Sequence, residues 1–217
     1  NVNYDIIFYP NDDANYETVH LTIPLRVQKA LAQVNIGNLQ HTYTGQSQQI
    51  TYQTSVVIRT EGEEEYYVDL TTPGEEMTEM DRYLSVTVTY DLTGDNIPVN
   101  AGTYIVLVRI NDINYEGEQT EEYIINQASA VIYVEEESKI QAFNNGVITL
   151  EARAEDMNGD SISVLINQTF TNYDGEQMNE APRYVGVYDV VLEVRDNNYE
   201  GVAISSLTIT VAQISIL

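Results

Sequence analysis

Apolar and polar residues alternate along most of the chain. Residues 83–90 alternate over their whole length, and from Tyr104 and from Tyr188 every second side chain is large and apolar. Because neighbouring side chains of a strand point to opposite faces, this pattern predicts strands with one buried face and one face in water. Residues 26–33 could mimic a short helix, but strand-like sequence flanks them on both sides. The pattern predicts an all-β fold.

One strand–turn–strand pattern occurs three times. The copies begin at Tyr4, Tyr104 and Tyr188, and each reaches an Asn-Tyr-Glu sequence where a turn is expected. The last two copies align without a gap at an offset of 84 positions, and Pro98 and Pro182 each precede the first tyrosine by six residues. Each copy then runs into an alternating strand and a short junction that contains alanine. The chain is therefore predicted to be a tandem repeat.

The repeat divides the chain into four parts. Residues 1–29 are expected to be the C-terminal strand pair of an incomplete module. Residues 30–127 are expected to form a complete β-sandwich module, and residues 128–212 a second, shorter one. Residues 213–217 are expected to open a further module. Short strands with turn signals at regular spacing are typical of sandwiches.

A tyrosine at the start of the penultimate strand favours an immunoglobulin-like order. Tyr104 follows Ala-Gly-Thr, at the place of a tyrosine corner, and its hydroxyl is expected to bond to backbone near Pro98. A β-grasp-like module is the alternative, but it needs a helix that the pattern does not show. The sequence predicts tandem immunoglobulin-like β-sandwich modules.

Charge narrows the classes of partner. The 217 residues include 34 acidic residues against 9 Lys plus Arg, for a net charge of −25. This surface repels phosphate backbones and anionic lipids, so nucleic acid and membrane surfaces are excluded as partners. No apolar run is long enough for membrane insertion. The absence of cysteine excludes disulfides and thiolate zinc sites. The acidity indicates a self-repelling, soluble surface or, alternatively, binding of divalent cations.

Catalytic side chains are scarce. The two histidines, His20 and His41, lie in different repeats, and neither is in a nucleophile motif. Because carboxylates are so frequent, a pair of them suited to glycoside hydrolysis does not indicate that the chain has this activity. The chain is predicted not to be an enzyme.

Residues 156–160 contain the most specific candidate site. Asp156, Asn158 and Asp160 place acidic and amide oxygens at alternating positions, with Gly159 for the turn, as calcium loops require. The distal Glu of an EF-hand is missing, and a plain hairpin turn explains the same residues. A hairpin turn is therefore the favoured interpretation of these residues, and Asp156, Asn158 and Asp160 are the candidate ligands if the turn binds calcium.

Four further features of the sequence bear on binding or cross-linking, but they are less specific. The acidic run 135–137 lies at a junction where a cation could link modules, whereas the run 61–65 is typical of a solvated loop. Tyr66 and Tyr67 are the tyrosines best placed to contact a partner. Lys139 is the candidate for an intramolecular Lys–Asn cross-link.

Three segments resemble the MBG/YDG-type repeats of bacterial surface proteins. They are Thr-Tyr-Thr-Gly at 42–45, Pro-Val-Asn-Ala-Gly-Thr-Tyr at 98–104, and Asn-Tyr-Glu-Gly at 114–117. The last module departs from this pattern, with Phe-Asn-Asn-Gly at 143–146. The resemblance implies a spacer or adhesive stalk in a large secreted or wall-attached protein, and its motifs specify fold rather than chemistry.

These observations predict a structural spacer of an extracellular or cell-surface bacterial protein, with neighbouring modules of the same protein as partners. One alternative is an adhesive or filament-forming module, in which residues 1–29 complete a sheet of another copy by strand exchange. The other is a carbohydrate-binding accessory module, which needs an exposed aromatic platform such as Tyr66 and Tyr67 for a glycan or protein receptor. No cofactor other than calcium is predicted.

Overall fold

The computed structural model describes residues 2–58, 66–69 and 84–213. Regular structure in these ranges is β-strand, apart from one 3-10 turn at Glu136–Ser138. The all-β prediction is confirmed, and the described ranges do not contain the helix of a β-grasp module. The acidic run 61–65 and residues 214–217 of the expected opening strand lie outside the description.

The N-terminal segment forms a two-stranded antiparallel sheet, called here the N-terminal hairpin. Its strands are β1 (Val2–Phe8) and β2 (Val19–Leu25). Tyr4 lies opposite Ile23 and Ile6 opposite Leu21. All four of these large side chains are exposed. The hairpin therefore presents an uncovered apolar face.

The described part of the middle repeat, residues 30–127, contains eight strands. They are β3 (Ala30–Gly37), β4 (Gln40–Thr42), β5 (Thr51–Ile58), β6 (Tyr66–Asp69), β7 (Val86–Tyr90), β8 (Gly102–Ile110), β9 (Tyr115–Glu116) and β10 (Glu118–Asn126). The strand orders of the two sheets are β6-β5-β3-β9 and β4-β10-β8-β7. Two pairings are parallel, β3 with β9 and β4 with β10.

The C-terminal repeat, residues 128–212, has the same number of strands. They are β11 (Ala128–Val134), β12 (Ile140–Ala142), β13 (Ala152–Asp156), β14 (Ser161–Ile162), β15 (Leu165–Thr171), β16 (Gly186–Arg195), β17 (Tyr199–Glu200) and β18 (Val202–Thr210). The sheet orders are β14-β13-β11-β17 and β12-β18-β16-β15. These orders match those of the middle repeat strand for strand, so the sequence repeat is also a repeat of topology.

A hydrophobic core fills the space between the two sheets of the C-terminal repeat. Along β16 every second side chain is buried, as the alternating sequence predicted. The buried members of the core are Ile148, Leu150, Phe170, Tyr188, Val190, Leu192, Leu207 and Ile209. Ile132 and Val134 of β11 and Ala152 of β13 pack against this core from the other sheet. The repeat is an immunoglobulin-like β-sandwich: β11 and β13 form one layer, and β15, β16 and β18 the other.

The predicted tyrosine corner is present in both repeats. The Tyr104 hydroxyl donates a hydrogen bond to the Asn100 carbonyl over 2.9 Å. In the C-terminal repeat the Tyr188 hydroxyl donates to the Tyr184 carbonyl over 2.8 Å. Each bond ties the start of the penultimate strand to the loop that precedes it. The loop comprises residues 98–101 in the middle repeat and 182–185 in the C-terminal repeat, and it is called here the pre-strand loop.

A glycine directly follows the short strand, β9 or β17, that pairs with the first strand of each repeat. A Cβ built on Gly201 would lie less than 3.0 Å from the carbonyl oxygen of Ala130, and one on Gly117 equally close to that of Ala32. Real Cβ atoms essentially never approach backbone so closely. Thr18 stands at the corresponding position of the N-terminal hairpin. The Asn-Tyr-Glu-Gly sequence therefore ends on a glycine for a steric reason.

The chain divides into two compact units. The first comprises Asn1–Gly37, Ile50–Thr89 and Val106–Glu121, and the second comprises Asn38–Gln49, Tyr90–Ile105 and Glu122–Leu217. The first unit contains the N-terminal hairpin and the whole of the sheet β6-β5-β3-β9. The second contains the whole C-terminal repeat together with β4 and the pre-strand loop of the middle repeat. The module boundaries at 29, 127 and 212 stay a prediction.

Candidate inter-repeat interface

Aspartate side chains shape the turn before the last strand of each repeat. The Asp196 carboxylate accepts hydrogen bonds from the backbone N–H groups of Asn198, over 2.7 Å, and of Tyr199, over 3.1 Å. In the middle repeat the Asp112 carboxylate accepts a bond from the Asn114 N–H over 2.7 Å. Aspartate commonly closes turns in this way. Residues 112–115 and 196–199 are called here the Asp-x-Asn-Tyr turn.

The residue before each repeat is bonded to that turn. Gln127 Nε2 donates to the carbonyl oxygens of Asp196, over 2.9 Å, and of Tyr199, over 3.2 Å. At the corresponding place Lys29 Nζ donates to the carbonyl oxygen of Asp112 over 2.7 Å. The polar end of the side chain directly before a repeat thus connects the start of that repeat to its own Asp-x-Asn-Tyr turn.

The second compact unit contains a contact between the C-terminal and the middle repeat. Asn198 Oδ1 accepts a hydrogen bond from the Ala101 N–H over 2.8 Å, and Asn198 Nδ2 donates to Asn100 Oδ1 over 3.2 Å. The ring of Tyr199 meets that of Tyr43 edge to face, with 5.3 Å between the centroids. Aromatic pairs favour this arrangement. The Asp-x-Asn-Tyr turn of one repeat therefore contacts the pre-strand loop of the other.

A cavity of about 320 Å³ adjoins this contact, and Tyr43, Tyr199, Asp156 and Asn158 contribute to its lining. Burial raises the pKa of the Tyr199 hydroxyl, and the nearby Tyr43, Asp156 and Asp196 raise it further. Both effects favour the neutral hydroxyl of Tyr199 over its phenolate.

The predicted calcium ligands form the hairpin turn between β13 and β14. Asp156 Oδ1 accepts hydrogen bonds from the backbone N–H groups of Asn158 and of Asp160, each over 2.9 Å. These bonds, led by that from Asp160, lower the pKa of Asp156. Gly159 has a φ of 86°, which suits glycine. The described residues contain no group of three or more His, Asp or Glu side chains that could hold a metal. Calcium binding by Asp156, Asn158 and Asp160 stays a prediction.

Thermal unfolding in excess calcium and in excess chelator checks that prediction. A cation that binds only the folded state stabilises it by about 2.7 kcal/mol at 100 times its dissociation constant. The unfolding midpoint of a domain of this size should then rise by on the order of 10 °C. Asp160→Ala should abolish the rise, whereas Asp174→Ala, in another exposed turn, should preserve it. Equal unfolding midpoints in calcium and in chelator would contradict calcium binding, and residues 156–160 would then be a hairpin turn alone.

The remaining candidates from the sequence have local partners or lie outside the described side chains. Lys139 Nζ lies 2.6 Å from Glu136 Oε1, in the acidic run 135–137. His41 Nε2 lies 2.9 Å from the Asn38 carbonyl oxygen, and its ring contacts Tyr123. The side chains of Tyr66 and Tyr67 are outside the description, so the carbohydrate platform stays a prediction.

The fold and the repeated turn define a class of immunoglobulin-like repeat module. The MBG domain profile matches residues 70–129 and 162–213, together just over half of the chain. The chain belongs to the MBG domain family, which confirms the resemblance seen in its sequence. The two matches end 84 positions apart, the same offset that separates Tyr104 from Tyr188. MBG domains are typical of extracellular surface proteins, so the chain is a repeat module of that type.

Curated proteins provide no match to the chain. Among solved structures, one described as "Structural basis for Dscam isoform specificity" is similar, at 16% identity and a TM-score of 0.30. The alignment covers 87% of this chain and 45% of that one, so this chain spans less than half of its length. In the described residues, no helix is long and apolar enough to cross a membrane.

Proposed function

We propose that this chain is a spacer segment in the stalk of a large extracellular protein, and that it is not catalytic. The observation that carries the proposal is the length of the linker between its repeats. Strand β10 ends at Asn126 and β11 begins at Ala128, so Gln127 alone separates them. A flexible tether needs many residues, whereas a single residue that is itself hydrogen-bonded has little freedom.

Surface charge supports the same function. At a net charge of −25 the copies repel one another, which favours solubility and opposes non-specific association. A spacer has to remain extended and separate from its neighbours at high local concentration. A strongly acidic chain suits that requirement.

Small-angle X-ray scattering of the chain tests the spacer function. A compact protein of 217 residues has a radius of gyration of about 17 Å. Strands of nine or ten residues span about 30 Å, so repeats placed end to end should give a radius of gyration of about 25–30 Å. A value near that of the compact protein would contradict the proposal.

The N-terminal hairpin favours a second candidate function, adhesion or filament formation by strand exchange. Ile23 is 36% exposed, whereas Ile125 and Ile209 at the corresponding positions are 2% and 1% exposed. An open apolar sheet face with free edges is a site where strands from another copy can add. The same scattering measurement over a concentration range separates the two functions. Strand exchange requires a molecular mass that rises with concentration, and a constant monomer mass contradicts it.

A further inference from the structure

We infer that the Asp-x-Asn-Tyr turn is a docking element, by which each repeat recognises the pre-strand loop of the repeat before it. The partner that this turn fits is a second MBG-type repeat with an unpaired backbone N–H in that loop. The inference deepens the spacer proposal and rests on it for its biological role.

The first argument is that the turn of the C-terminal repeat closes without the Asn198 side chain. The bonds that close the turn run from backbone N–H groups to the Asp196 carboxylate, and most residues at position 198 could supply that N–H. Asparagine recurs here in all three copies, as Asn15, Asn114 and Asn198, and in the N-terminal hairpin the Asn15 amide bonds to Asp12 of its own turn. Within the part of the chain that the structure describes, the amide group of Asn198 bonds only to the preceding repeat. Its side chain thus acts outside its own repeat.

The second argument is the chemical match across the contact. An amide group offers one acceptor and one donor side by side. Asn198 uses the acceptor on the Ala101 N–H and the donor on the Asn100 side chain. Because Ala101 offers a backbone group, this part of the recognition depends on loop shape rather than on side-chain identity. Tyr199 adds an apolar contact on Tyr43, beside the two polar bonds.

The third argument is that the C-terminal repeat has the same loop, with the corresponding contact positions exposed in the described residues. Tyr184 and Val185 stand at the positions of Asn100 and Ala101, and they are 74% and 51% exposed. Within the described residues the Val185 N–H has no hydrogen-bond partner. Phe143 replaces Tyr43: its N–H bonds to Thr210 as the Tyr43 N–H bonds to Asn126. This loop therefore offers the same donor to the turn of another MBG-type repeat.

Residual dipolar couplings of backbone N–H groups in the full chain test the inference. In the wild type, residues 38–49 and 90–105 should share one alignment tensor with residues 128–210, because the contact holds them together. Asn198→Ala removes both amide bonds but keeps the backbone bonds of the turn, so the common tensor should be lost while the C-terminal repeat stays folded. Asn198→Asp should retain it, since a carboxylate can accept from Ala101 and from a rotated Asn100 amide.

Asn114→Ala is the matched control, because it makes the same change in the same turn of the middle repeat, away from residues 98–101. It should leave the common tensor intact. A common tensor that survives Asn198→Ala, or one already absent from the wild type, overturns the docking inference. Scattering from the wild type tests the spacer function separately. If the wild type is compact and Asn198→Ala still uncouples the repeats, the spacer function is refuted and the docking inference is retained.

Discussion

Gly201→Ala is expected to lower the free energy of unfolding of the C-terminal repeat by at least about 3 kcal/mol. The new Cβ would collide with the carbonyl oxygen of Ala130, which is backbone and cannot rotate away. Strand β11 would have to move off β17, breaking the parallel pairing of Ala128 with Tyr199. The thermal unfolding midpoint should fall by about 10–20 °C.

Glu200→Ala is the control for that substitution, since it changes the adjacent exposed side chain and leaves the backbone approach intact. Its effect should stay within about 0.5 kcal/mol. Gly117→Ala should repeat the large loss in the middle repeat, where the new Cβ would meet Ala32. If Gly201→Ala unfolds at the wild-type midpoint, β11 and the chain at β17 do not approach as closely as described.

Leu192→Ala is expected to cost about 2–5 kcal/mol, because the side chain is fully buried in the core of the C-terminal repeat. Its removal loses the transfer free energy of the deleted atoms and leaves a cavity between the two sheets. Urea unfolding should show a lower midpoint with an unchanged slope, since the surface exposed on unfolding is nearly the same.

Leu165→Ala provides the comparison for the core substitution. Leu165 is on the neighbouring strand β15, but its side chain is 69% exposed. The change removes the same atoms from a site in water, so the midpoint should hardly move. Equal losses for the two variants would contradict the assignment of the buried face of the sandwich.

Local pattern predicted much of the fold. The alternation that begins at Tyr188 identified the buried face of β16, because the period of a strand depends only on the strand itself. The tyrosine corner followed from Tyr104 and the loop residues directly before it. Strands β4 and β12 have three residues each and were not predicted, since a segment so short shows no period. Their position depends on pairing with distant strands, β10 and β18.

The candidate interface shows where sequence reasoning ended. The sequence shows that asparagine recurs in the turn. However, formation of the turn is enough to explain both this asparagine and the tyrosine beside it. Its partners Asn100 and Ala101 lie almost a hundred residues earlier, and only the fold brings them to Asn198. Residues 156–160 illustrate a different limit. The same residue types suit a calcium loop and a hairpin turn, and the sequence alone left both open.

The parallel pairing of β4 with β10, and of β12 with β18, has a mechanical consequence. In each repeat a short strand near its entrance lies beside the strand at its exit, and both run in the same direction. Tension applied at the two ends of a repeat would drag these neighbours past each other lengthwise. The force would then act on all the hydrogen bonds between the two strands at once, instead of breaking them one at a time. Strands paired in this way resist extension.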